Sequence, residues 1–489
     1  MDRIERRCFL KGVALMGATT FAGGCTSKSV CATAGAPMAR FSAKPIEKVR
    51  FGVIGMGMRG MPAVKRLSGI PGAELVAMCD VRPEAIEEAK KFFADLGERC
   101  PKIYLGEEAW KGLCDDQNVD FVYNCTPWNL HVEPSIRAME NGKHVGIEVP
   151  AAPTVSDAWE LVETAERCRV HCMMLENGCY NQRRISALNL CRSGIIGDVY
   201  YGEAYYAHNL RELFFPGLEK ERKGWYSENW RIEWFRHHQG NTYPTHGLGP
   251  LAQIMDIGRG DQFDYLVSME TPAFGQNAYG AWKYGESEMA RRPPIVNGDA
   301  STTLIKTKNG KTIYLVHDVT SPRPQRRLGF IQGTKGALDV DPDFKVAFET
   351  MPGRKIDENK PLCEQIPESE VWRTQIEGVP VLEKFMHPYV SAARAFCDKI
   401  ADRTGRENGH DIVDALMDVR IVHCLRKGLP LDQNVYDLAS WSCVCELSER
   451  SVMNRSQAVD FPDFTRGAWK TEPRFDITAN DIAAMDLKC

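Results

Sequence analysis

Six residues, Gly55-Met56-Gly57-Met58-Arg59-Gly60, constrain this chain more than any others. They follow at once on Val49–Ile54, a short β-branched and apolar run, and lead into a helix-like stretch ending at Leu67. A second strand-like run, Glu74–Cys79, ends in Asp80, about 20 residues after the last glycine. Strand, G-x-G-x-x-G, helix, strand and acidic residue together make a dinucleotide-binding unit, whereas the glycines alone would fit any tight turn. Gly55 permits the turn, Gly57 lets the backbone approach a pyrophosphate, and Gly60 lets helix and strand pack closely. The helix N-terminus offers N–H groups and a positive dipole end to the phosphates. A carboxylate at Asp80 accepts from ribose hydroxyls and repels a 2′-phosphate, which favours NAD over NADP.

The alternation continues. Phe121–Pro127 reads as a strand, His131–Asn141 as a helix and Lys143–Val149 as a strand. Thr154–Cys168 reads as a helix and His171–Asn177 as a further strand. Such order predicts an α/β fold, a doubly wound parallel Rossmann sheet over residues 48–177, with ligands at the strands' carboxyl ends. Those ends carry Thr126 through His131, Glu148-Val149-Pro150 and Glu176-Asn177, which should line the nicotinamide side. A length of 489 residues leaves room for a second, substrate domain over 178–489.

The net charge of −4 argues against a general nucleic-acid binder. No apolar run approaches the ~20 residues of a spanning helix. The start, Arg6-Arg7-Cys8-Phe9-Leu10-Lys11 and a modest apolar run to Gly24, resembles a twin-arginine export signal over residues 1–25. Ala22-Gly23-Gly24-Cys25 resembles a lipobox, with Cys25 as a lipid anchor; cleavage without a lipid is the alternative. Residues 26–47 then read as a linker, and the destination as the periplasm or cell envelope. Export of a folded protein implies a cofactor loaded in the cytoplasm and regenerated within each turnover. The 17 cysteines are scattered, many in apolar strands such as Cys79, Cys125 and Cys172, and read as buried small hydrophobes. No metal site is expected, because His208, His237, His238 and His317 are dispersed.

These motifs resemble the Gfo/Idh/MocA oxidoreductases. Ordinary members carry Glu-Lys-Pro at the end of the fifth strand, with a catalytic lysine; this chain has Glu148-Val149-Pro150. In that respect it is similar to the NAD-dependent glycosidases of glycoside hydrolase family 109, typified by α-N-acetylgalactosaminidase. The resemblance runs through Gly55–Gly60, Thr126-Pro127-Trp128 with His131, His144–Ala152, Leu175-Glu176-Asn177 with Cys179-Tyr180, and Trp230-Arg231. It continues in Tyr243-Pro244-Thr245-His246-Gly247, Leu328-Gly329-Phe330, Gly428–Asp432 and Pro462-Asp463-Phe464. It implies a C-terminal α/β domain with a large open, mainly antiparallel sheet, whose helices and tail pack back on the Rossmann domain. Pairing of such sheets implies a homo-oligomer.

Carried over, the resemblance assigns NAD contacts to Met58, Arg59, Asp80, Trp128, His131, Glu148, Val149 and Asn177. It assigns sugar contacts to Tyr206, Arg231, Tyr243, Pro244, Thr245 and His246. Three departures touch the pocket: Asn129-Leu130 where the family has Glu-Trp, Gln325 where it has Tyr, and His410-Asp411-Ile412-Val413-Asp414 where it has His-Gly-Gly-Met-Asp. The implied reaction is redox-neutral hydrolysis of an α-N-acetylgalactosaminide-like bond in a glycan, glycoprotein or glycolipid. Hydride leaves C3, the C2 proton is lost with the anomeric substituent, water adds, and hydride returns. His246 is the expected base at the C3 hydroxyl and Tyr243 its relay partner. Tyr180 is expected to act on the C2 proton or leaving oxygen, though packing at a hinge would explain it too. Arg231 and Tyr206 would orient the sugar, or Arg231 would simply pack among Trp225, Trp230 and Trp234. Helix capping is the alternative for His131. An NADH-releasing sugar or cyclitol oxidoreductase and a non-catalytic sugar binder are the competing functions.

Overall fold

The computed structural model describes residues 37–215, 230–349, 358–361, 370–403, 410–485 and 487. The export signal with Cys25, the first part of the linker, and Trp225 lie outside them.

The first sheet is built from β1 (Val49–Ile54), β2 (Ala73–Asp80), β3 (Lys102–Leu105), β4 (Phe121–Asn124), β5 (His144–Ile147) and β6 (Cys172–Met174). The strands run parallel in the order β3-β2-β1-β4-β5-β6. That is the doubly wound order, with its switch point between β1 and β4. The connecting helices are α1 (Gly60–Leu67), α2 (Pro83–Asp95), α3 (Ala109–Asp115), α4 (Val132–Glu140) and α5 (Val155–Cys168). Thr154 and Asp157 start α5 with a reciprocal capping box. β4, β5 and β6 stop short of the strands read from sequence. The reason is visible at β4, where the Asn124 amide donates to the carbonyls of Leu130 (3.2 Å) and His131 (3.1 Å) and folds the chain over.

The second half opens with α6 (Gln182–Arg192), β7 (Val199–Ala207), α7 (Arg211–Phe214), α8 (Trp230–Phe235), α9 (Thr245–Ile254) and β8 (Phe263–Glu270). Then come α10 (Phe274–Tyr284), α11 (Glu286–Met289), β9 (Ala300–Thr307), β10 (Thr312–Asp318), β11 (Arg326–Gly333), β12 (Gly336–Asp339) and β13 (Lys345–Phe348). A two-stranded ribbon, β14 (Gln375–Ile376) and β15 (Val379–Pro380), precedes α12 (Val381–Lys384) and α13 (Pro388–Asp402). The chain continues through α14 (Asp411–Lys427), α15 (Val435–Ser442), α16 (Val444–Met453) and β16 (Val459–Asp460). The eight-stranded sheet runs β13-β12-β11-β7-β10-β9-β8-β16, antiparallel except for the β7–β10 pair.

The pleat sorts β7: Gly202, Ala204 and Tyr206 are buried, while Tyr201, Glu203 and Tyr205 are half-buried on the other face. α9 lies on the buried face. A Cβ added at Gly247 would sit 2.4 Å from the Arg327 carbonyl and 2.5 Å from the Tyr205 nitrogen, so glycine sets how closely α9 approaches the sheet. From the far end of the sequence, α14 returns to pack on α1 and β1, and α15 on α5 and β6.

Candidate active site

A cavity of about 530 Å³ opens at the switch point of the first sheet, within the usual range for ligand sites. One end is formed by the glycine turn and the strand ends; the other by Tyr206, His208, Leu210, Leu213, Trp230, Arg231, Tyr243 and His246.

At the first end the turn is a backbone cradle. Gly55 has φ +83°, and a Cβ on Gly60 would lie 1.7 Å from the Gly55 carbonyl oxygen. At Gly57, by contrast, only Arg82 Nη2, at 3.8 Å, lies within reach of an added Cβ. That side opens on the cavity, so the turn fits a pyrophosphate drawn against the backbone. Asp80 closes β2 with Oδ2 accepting from the Met56 N–H (2.6 Å) and Oδ1 from the Arg82 N–H (2.8 Å). Arg82 Nε also donates to Oδ1 at 3.2 Å, so the carboxylate is held, ion-paired, at the cavity edge. Met58 and Val149 line the wall. Arg59 donates to Glu148 Oε1 and to Asp414 Oδ1, each at 2.9 Å, and Asn177 donates to Asp414 Oδ1 at 2.6 Å. Trp128 Nε1 donates to the Val149 carbonyl at 3.1 Å.

His131 lines the cavity, but its two ring nitrogens each lie 2.9 Å from a carbonyl oxygen, of Pro150 and Thr126. Burial pulls its pKa down, against the pull of those carbonyls. A neutral ring carries one N–H, so it donates to only one of these two carbonyls, and His131 keeps its place in the cavity wall.

At the other end, aromatic faces enclose the space. Tyr206, on the inward face of β7, stacks on Tyr243 with ring centroids 4.2 Å apart. The buried Arg231 guanidinium lies 4.5 Å from the Tyr243 ring centre and 5.1 Å from that of Trp128. Trp128 meets Trp230 and Trp234 edge to face at 5.0 and 5.4 Å. Arg231 is thus both aromatic-packed and cavity-lining.

His246 stands at the start of α9. Its Nδ1 lies 2.6 Å from Glu176 Oε1, at the end of the sixth strand, and its Nε2 lies 3.5 Å from the Tyr243 hydroxyl. Glu176 also accepts the Gly178 N–H at 2.8 Å. Burial alone would push the Glu176 carboxyl up, but the charge and hydrogen bond of His246, with the Gly178 N–H, hold it below its usual range. An ionised Glu176 requires the proton on Nδ1, so in the neutral ring Nε2 is the acceptor. Glu176 is expected from the strand end only as a lining residue; it is 0% exposed and does not line the cavity, but stands behind His246, 70 positions away in the chain. His208 is a cavity residue not foreseen; burial, Arg327 and Arg231 pull its pKa down to about 2.

Three assignments are corrected. Tyr180 does not line the cavity; it is 2% exposed, and its hydroxyl donates to Asp432 (3.0 Å), which is also clamped by Arg420 at 2.9 and 2.6 Å. Burial pushes that hydroxyl well above its usual range. Pro244 and Thr245 also stay behind the wall, because they turn the chain into α9 and only the flanking Tyr243 and His246 face inward. Of the departures, Asn129, Leu130 and His410 line the cavity, and Gln325 is exposed outside it. Among the described residues no lysine lines the cavity and no cluster is arranged to hold a metal ion.

Residues 180–471 match the model of the glycosyl hydrolase 109 C-terminal domain, and residues 49–175 that of the oxidoreductase-family NAD-binding Rossmann fold. The chain belongs to glycosyl hydrolase family 109. It is 39% identical over 426 residues to the alpha-N-acetylgalactosaminidase of Bacteroides fragilis, covering 87% of this chain and 94% of that one. It is 38% identical over 479 residues to a family 109 protein of Shewanella pealeana, covering 96% and 98%. In fold it is similar to an oxidoreductase domain protein from Kribbella flavida (TM-score 0.59, 20% identity, covering 86% and 100%). A levoglucosan dehydrogenase solved with NADH and levoglucosan has the same fold (TM-score 0.55, 16% identity, covering 85% and 100%). The family 109 member described here is thus a hydrolase with an NAD-binding Rossmann domain, and its glycine cradle, Asp80 and Arg59 are disposed to hold that cofactor.

Proposed function

We propose that this chain hydrolyses an α-N-acetylgalactosaminide, or a closely related glycoside, in a redox-neutral cycle. Bound NAD supplies a hydride acceptor, and then a hydride donor, for one sugar carbon, so that no net redox change accumulates. The observation that carries the reading is the line Glu176–His246–Tyr243 at the aromatic end of the cavity, with Val149 in the place of a lysine. His246 Nε2 takes the proton of a sugar hydroxyl. Glu176 orients the ring and stabilises the imidazolium that forms. Tyr206, Tyr243 and Trp128 offer flat faces to the sugar ring, and Arg231 a cation to its oxygens. The same walls exclude water from the reacting bond until the aglycone leaves.

The test is nitrophenol release from p-nitrophenyl α-N-acetylgalactosaminide by the purified protein without added cofactor, in deuterated water. Turnover with deuterium at C2 of the product is expected. NADH accumulating in proportion to protein, with no aglycone released, overturns the reading. The Arg6-Arg7 start supports delivery of the folded holoprotein to the cell envelope. Arg6→Lys with Arg7→Lys should then leave the chain in the cytoplasmic fraction.

A further inference from the structure

Asp414 and Asp418 lie one turn apart on α14, and both are 0% exposed. Asp418 accepts from Arg66 Nε (2.8 Å) and from the Tyr123 hydroxyl (3.1 Å), neither of which lines the cavity. Asp414 faces Arg66 at 3.2 Å but also receives Arg59 at 2.9 Å and Asn177 at 2.6 Å, and both of these line it. Arg59 precedes α1 beside the glycine turn; Asn177 follows the last strand of the Rossmann sheet. Arg59 bonds Glu148 as well, at 2.9 Å. One carboxylate from the second half of the chain therefore ties together the two sides of the cofactor end. Burial would raise its pKa, but Arg59 and Arg66 more than offset this and keep it ionised.

We propose that Asp414 is the clasp that keeps the dinucleotide in place between turnovers, acting through Arg59 and Asn177. It is a positioning residue, and Asp418 is its internal control: same helix and same burial, joined to Asp414 only through Arg66 and bonded to no cavity-lining residue. Arg59 lines the cavity beside the glycine cradle, and its half-buried ion pair with Asp414 opposes any movement of it away from a bound dinucleotide. This deepens the redox-neutral reading, in which exchange of the cofactor serves no purpose.

The experiment uses the holoprotein carrying isotopically labelled NAD, diluted into excess unlabelled NAD, with the label remaining on the protein followed over time. Asp414→Asn should exchange about tenfold faster or more, the scale of one lost charge-assisted hydrogen bond. Asp418→Asn should lower thermal stability to a similar degree while exchanging at the parental rate. Exchange by Asp414→Asn at the parental rate overturns the clasp. So does equal acceleration in both variants, which would make the network a general support. If Asp414→Asn yields no folded protein, Asp414→Glu, which keeps the charge but displaces it, carries the same expectation. Aglycone release is not the readout, so loss of the clasp would leave the glycosidase reading standing, and the reverse holds too.

Discussion

At the cofactor end of the cavity, the cradle for a pyrophosphate comes from one stretch, Gly55 to Gly60, and is largely main chain. At the sugar end they are side chains from β7, α8, α9 and the exit of β6. The first end works through the absence of atoms: Gly57 leaves space, and Gly60 lets the turn close. The second works through the placement of atoms, with a histidine between a carboxylate and a phenol inside an aromatic cage. A backbone cradle should be hard to alter without losing the ligand. A side-chain cage should lose its chemistry one residue at a time while the ligand at the other end stays put.

The sharpest way to break that contrast is at His246. His246→Ala should lower kcat by about 10³-fold, the scale of one general base, while bound NAD stays at the parental level. Turnover of the nitrophenyl glycoside, with nucleotide released by denaturation and quantified, checks both. A parallel loss of NAD would show that the two ends are not separable. Glu176→Gln should cost about 10²-fold and change the pH profile of kcat, because the ring loses the anion that fixes its tautomer.

Gly60→Ala probes the other end. Its new methyl would need backbone movement to clear the Gly55 carbonyl, 1.7 Å away. The expected cost is ~1–3 kcal/mol, the range for overpacking, and the NAD content should fall well below one per chain. A variant that folds, keeps full NAD and loses only turnover would reverse the comparison.

The same contrast explains what the sequence made legible. The cradle is local, so spacing alone placed Gly55, Gly57, Gly60 and Asp80, and the alternating runs placed the Rossmann strands. The family resemblance brought Tyr206, Arg231, Tyr243 and His246 to the same region, and the structure brings all four to one cavity wall. It did not separate a motif's cavity-lining residues from those behind them: Pro244 and Thr245 sit between two cavity residues yet do not line the cavity. Nor could it show that Tyr180 is committed to Asp432, 252 positions on, or that Glu176 is committed to His246. Those pairings depend on how α9 and α14 dock, which no local pattern encodes.

Tyr180→Phe tests the corrected position. Asp432 keeps both contacts from Arg420, so loss of the hydroxyl should cost ~1–2 kcal/mol of stability and leave kcat close to parental. Urea unfolding and steady-state kinetics on one preparation decide it. An intact fold with turnover reduced about 10²-fold or more would restore Tyr180 to the chemistry.

The last effect concerns acid, and it sets the buried histidines of the Rossmann half against His246. His144 and His171 lie against each other, with the His171 N–H donating to His144 Nδ1 at 3.0 Å. Burial pulls the His144 pKa down to about 4 and that of His171 well below the ordinary value. The unfolded chain binds a proton at each near pH 6.5. Between about pH 6.5 and about pH 4, then, the unfolded state holds more protons, and stability falls as pH falls. Each such histidine contributes a slope of ~1.4 kcal/mol per pH unit within its window. His144→Gln should flatten the stability profile between pH 7 and pH 5 by about one histidine's share, as read from urea midpoints. The pH profile of kcat should not move with it, because His246 answers to Glu176 at the far end of the strands.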